Sequence, residues 1–67
     1  NLKDARFTGA DLSRSDLRDC NLFGADFSEA TITETRFDRA NLQQALFTNT
    51  DVSTARFDDA RGAPGNP

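Results

Sequence analysis

A chain of 67 residues with 11 acidic and 8 basic side chains, one Cys and no His, Tyr, Trp or Met is too short to hold a core and a catalytic cleft. The missing His and pairable Cys exclude the usual general base, the common zinc-ligand sets and an internal disulfide. A net charge of −3 disfavours direct nucleic-acid binding, which needs clustered Lys and Arg, and no apolar run is long enough for a membrane span.

Read from the N-terminus, the large apolar residues follow neither a helical nor a strand period. They recur every fifth residue: Leu2, Phe7, Leu12, Leu17, Leu22, Phe27, Ile32, Phe37, Leu42, Phe47, Val52 and Phe57. Two places before each from Phe7 onward stands a small residue, running Ala5, Ala10, Ser15, Cys20, Ala25, Ala30, Thr35, Ala40, Ala45, Thr50 and Ala55, with Ala60 continuing the phase. The other three positions of each pentad are mostly polar or turn-forming. A flat sheet cannot keep a period of five on one face. A coil that bends every fifth residue can, and stacked coils bury their inward positions against one another.

Columns of like residues fix the size of a coil. A step of twenty aligns Asn1, Asn21 and Asn41; Leu2, Leu22 and Leu42; Ala5, Ala25 and Ala45; and Phe7, Phe27 and Phe47. A step of fifteen mixes Leu2, Leu17, Ile32 and Phe47. Each coil is therefore expected to have four walls of one pentad each.

The pentads Ala10-Asp11-Leu12-Ser13-Arg14, Cys20-Asn21-Leu22-Phe23-Gly24, Ala25-Asp26-Phe27-Ser28-Glu29 and Ala40-Asn41-Leu42-Gln43-Gln44 give the chain its resemblance to the pentapeptide-repeat family. Eleven consecutive pentads over residues 5–59 fit, after the partial Asn1-Leu2-Lys3-Asp4. Arg6, Arg36, Arg56, Thr31 and Leu46 depart from the family's Asp or Asn at the second position, which should point outward. The resemblance implies an all-β fold, a right-handed quadrilateral parallel β-helix of about three coils of four pentapeptides. We expect residues 1–60 to form this solenoid and the Gly- and Pro-rich residues 61–67 to form an irregular C-terminal tail.

Two surfaces stand out. Phe23 and Leu46 are the large apolar residues off the grid, and the four-wall scheme sets them beside one corner, one coil apart, as a candidate protein contact. The fourth wall carries Asp16 with Arg18, Arg36 with Asp38 and Arg56 with Asp58, a charged wall that is expected to be a solvated ladder of ion pairs. Cys20 occupies the small inward register, and the Asn column is expected to make turn hydrogen bonds. No P-loop, dinucleotide fingerprint, EF-hand or glycosylation acceptor occurs. No catalytic, cofactor-binding or metal-binding residue is therefore assigned, and an enzyme is not expected.

The expected function is a structural or protein-interaction module, completed by another protein, by further coils of a parent chain or by end-to-end self-association. The resemblance implies one specific version, a small subunit or assembly factor of a photosynthetic complex in the thylakoid lumen, with the cytoplasm as the other setting. Beginning at Asn1 without any Met, the chain reads as a processed product or excised fragment. The alternative that the resemblance implies is a DNA-mimicking regulator of a type II topoisomerase.

Overall fold

The computed structural model describes residues 1–64, and residues 65–67 of the expected tail lie outside the described residues. Its local unit is a tight turn closed by the small residue of the next pentad. Ala10 N–H donates to Phe7 O and Ala25 N–H to Leu22 O, each at 3.0 Å. The last residue of the pentad takes a left-handed φ, as at Arg14 (62°), Asp19 (61°), Glu29 (61°) and Gln44 (66°). One left-handed residue at the third place of a four-residue turn is what a type II turn requires. For a residue with a Cβ this conformation costs about 1–2 kcal/mol, so the bends are held by what the pentads pack against.

What they pack against is the chain twenty residues away. Parallel bridges join Arg6 to Asp26, Asp11 to Thr31, Asp16 to Arg36, Asn21 to Asn41, Asp26 to Leu46, Arg36 to Arg56 and Asn41 to Arg61. Leu12 N–H donates to Thr31 O and Thr31 N–H to Ala10 O, both at 2.8 Å. A bend every five residues leaves room for single-residue bridges and no longer strands among the described residues. The β character therefore lies in the register of the bridges. One pentad per wall and a step of twenty place Leu2, Leu22 and Leu42 on the first wall; Phe7, Phe27 and Phe47 on the second; Leu12, Ile32 and Val52 on the third; and Leu17, Phe37 and Phe57 on the fourth.

The core sits inside this register. Leu22, Ala25, Phe27, Phe37 and Leu42 are 0 % exposed, and Ile32 and Ala40 are 1 % exposed. Aromatic columns run through it: Phe27 stacks on Phe7 at 5.0 Å and on Phe47 at 5.1 Å, and Phe37 stacks on Phe57 at 5.2 Å. Phe27 also meets Phe37 edge-on at 5.4 Å, so the second and fourth walls are joined across the interior. Thr35, buried in the small-residue column, donates its hydroxyl to Leu12 O at 2.7 Å, which satisfies the polar group that burial would otherwise penalise. Leu2, Phe7, Leu12 and Leu17 on one side, and Phe47, Val52 and Phe57 on the other, are only partly buried.

One corner departs from the rule. Thr54 stands where the other pentads have their left-handed residue, yet its φ is not positive, because a β-branched side chain resists that region most strongly. The bridge that the register demands between Thr31 and Asp51 is missing, and Glu34 N–H turns instead to Thr54 Oγ1 at 3.3 Å. At the C-terminal side Arg61 still bridges Asn41 and accepts from Leu42 N–H at 2.8 Å, so the pairing runs one residue past Ala60. A Cβ on Gly62 would press into the backbone of Gln43, so that turn can approach the wall only as glycine.

Candidate functional site

On the fourth wall the second, fourth and fifth residues of each pentad face outward, which makes an array with Asp16, Arg18 and Asp19 in one row, Arg36, Asp38 and Arg39 in the next, and Arg56, Asp58 and Asp59 in the last. Between the first two rows every charge lies over its opposite. Arg18 grips Asp16 with Nε at 2.8 Å and Nη2 at 2.7 Å, and Arg39 reaches back twenty residues to hold Asp19 at 2.8 and 3.0 Å. Such two-point contacts are the stronger form of the Arg–carboxylate pair. Asp16 is held well below the usual carboxylate range, first by the Arg18 side-chain hydrogen bond and then by the Arg18 N–H. Asp19 is lowered by its hydrogen bond to Arg39, and both guanidiniums are raised in turn.

The next pairs are looser: Arg36 lies 3.8 Å from Asp38, and Arg56 lies 3.4 Å from Asp58. Here like lies over like, Arg36 on Arg56 and Asp38 beside Asp58. The wall is not solvated throughout, because Asp38 is only 6 % exposed. Its Oδ1 accepts Asp58 N–H at 3.3 Å while Oδ2 faces Arg36. A buried carboxylate needs such partners, and Asp38 thus acts as a tie between rows. Asp19 and Arg39 were not among the residues expected to matter on this wall, although adding twenty to Asp19 finds its partner.

The two off-grid apolar residues have different surroundings. Leu46 is 52 % exposed and bridges Asp26 through its backbone. Phe23 is half-buried, covered by Lys3, whose Nζ lies 5.9 Å from the ring centroid. It lines a shallow open hollow of about 240 Å³ together with Lys3, Asn21 and Asn41, a group that does not include Leu46. A second groove of about 330 Å³ opens at the irregular corner between Glu34, Arg36, Thr54 and Arg56.

Cys20 is free and half-buried in the small-residue column. Asn1, Asn21 and Asn41 each accept the N–H two residues on, at 3.1, 3.2 and 3.1 Å. Among the described residues no three His, Cys, Asp or Glu side chains gather as a metal site would need, and no helix is long and apolar enough to cross a membrane. What the surface offers chemically is recognition: rows of charge, amide and hydroxyl groups at a fixed spacing.

The family model described as pentapeptide repeats fits in 8 copies over residues 1–39 and 35–61. No curated protein matches the chain.

Proposed function

The chain belongs to the pentapeptide-repeat family, and from that premise we propose that it is a rigid scaffold that another protein chain, further coils or a second copy completes at its ends. In this reading residues 1–60 form three right-handed coils of four pentapeptides and residues 61–67 lead away from them. Family members are in general structural or interaction modules rather than enzymes. The observation that carries the proposal is the pair of open end rows. Leu2, Phe7, Leu12 and Leu17, and opposite them Phe47, Val52 and Phe57, keep apolar area in water, where solenoids normally place a cap or a further repeat.

Sedimentation combined with thermal unfolding tests this. The scaffold reading expects association or partner-dependent melting, and a stable, cooperatively melting monomer in dilute solution would overturn it. Pull-down from native extract then names the complex, and a photosynthetic one would make the chain its small subunit or assembly factor.

Imitation of duplex DNA needs a continuous acidic column, and here acidic and basic side chains alternate on the fourth wall. A gyrase supercoiling assay keeps that reading open to test, since inhibition by the chain would displace the scaffold proposal.

A further inference from the structure

The walls do not share the charge of −3 evenly. On the first wall Lys3 and Arg61 outnumber Asp4 by one, on the second Arg6 is outnumbered by Asp26 and Glu29, on the third Arg14 is outnumbered by Asp11, Glu34 and Asp51, and on the fourth four arginines meet five aspartates. One wall of an acidic protein is therefore positive.

That wall is also rich in donors. The Oδ1 of Asn1, Asn21 and Asn41 is taken by the N–H of Lys3, Phe23 and Gln43 respectively. An amide whose oxygen is committed in this way turns two N–H donors outward, and those of Asn1, Asn21 and Asn41 meet no protein acceptor among the described residues. The bridge between Asn21 and Asn41 sets their spacing at one interstrand step, about 4.8 Å. Beside this ladder lies the open hollow of about 240 Å³ with Phe23 in its lining and Lys3 above the ring.

We infer that the first wall is a docking face for an acidic segment of a partner protein. Carboxylates are acceptors only, so they match the amide ladder, Lys3 and Arg61, and charge-assisted bonds of this kind are the stronger ones. An apolar side chain of the same segment packs against Phe23, an aromatic anchor among polar neighbours as interface hot spots are built. Net negative charge on the other three walls turns the segment toward this one, and Asp4, folded over Gly24 at the wall's edge, bounds it on one side. The inference rests on the protein-interaction reading and names the chemistry of the partner.

Fluorescence anisotropy tests it, with a labelled ten-residue peptide of alternating Glu and Leu against the folded chain. The peptide should bind more tightly than its Lys/Leu counterpart and weaken as salt is added. Phe23→Ser and Lys3→Glu should each lower affinity about tenfold. Arg14→Glu, the same kind of charge change on the opposite wall, should leave it within about twofold; circular dichroism checks that each variant remains folded. Equal binding of both peptides, an equal loss in Arg14→Glu, or preference for an oligo-dT strand over the acidic peptide would overturn the inference. Failure here is separable from failure of the scaffold proposal. A partner recovered equally by wild type and by the Phe23→Ser, Lys3→Glu double variant discards the first wall alone, whereas a stable monomer discards the scaffold.

Discussion

Residues 21–40 and the stretches that flank them are written in the same pentad, yet they have different fates. In the middle, Leu22, Phe27 and Phe37 are 0 % exposed and Ile32 is 1 % exposed. Their counterparts Leu2, Phe7, Leu12 and Leu17, and Phe47, Val52 and Phe57, are half-buried; Leu42, whose row is still met by Arg61, is the exception at 0 % exposed. A side chain inside this fold is covered by the rows above and below it, so its burial is a property of its neighbours in the stack. The ends are where a scaffold of this kind has free energy left to gain.

Large-to-small substitutions should measure that difference most directly. Phe27→Ala removes a ring stacked on both sides and should cost about 3–5 kcal/mol, whereas Phe7→Ala or Phe57→Ala should cost about half as much. Chemical denaturation reads both, and equal losses would mean that the end rows are already covered in solution. Next comes the polar tie inside the core. Thr35→Val removes the hydroxyl bond to Leu12 O, which keeps the Ser15 N–H at 3.0 Å, and should cost about 0.5–1.5 kcal/mol. Thr50→Val, which loses the matching bond from Thr50 Oγ1 to Phe27 O at 2.7 Å in a half-buried site, should cost less.

A change in the opposite direction sharpens the comparison at the irregular corner. Thr54→Asn permits the left-handed turn found at Arg14, Glu34 and Asn49, and it should stabilise the chain by up to about 1 kcal/mol. Hydrogen exchange should then show new protection at Asp51, and unchanged exchange would detach the missing bridge from the Thr54 side chain.

The smallest effect should be electrostatic. Asp16 and Asp19 are lowered by hydrogen bonds from Arg18 and Arg39, and Asp11, Asp26 and Asp51 by bonds from Ser13, Ser28 and Ser53. A folded-state pKa below the unfolded one means that the native state binds fewer protons. The associated stability is present above the unfolded value of about 3.9 and is lost as pH falls below it toward the folded values. All but the half-buried Asp26 are exposed, so salt should shrink the acid effect. A melting temperature that rises below pH about 4 would contradict the assignment.

Much of this was legible in the sequence. The column of Asn1, Asn21 and Asn41 announces both the step of twenty and the turn bonds, because identical residues in stacked positions answer identical geometry. The pair Asp19 and Arg39 was legible too, by the same step, and needed only the fifth position of the pentad to be read as outward. Asp38 was not. It shares its position with exposed Arg18 and Asp58, and its burial comes from Arg36 beside it and the Asp58 amide beneath it. Phe23 likewise reads as a solvent-facing residue until Lys3, twenty residues earlier, is seen to lie across its ring.

The sequence by itself determined which side chains point inward and which rows meet. A period of five admits one bending pattern, and a period of twenty admits one register. Only the tertiary structure decided how deeply each inward residue is buried, which carboxylate is drawn in, and where a β-branched corner leaves a bridge unmade. Burial and strain depend on what lies above and below in the stack, and a repeated motif specifies the unit without specifying its neighbours.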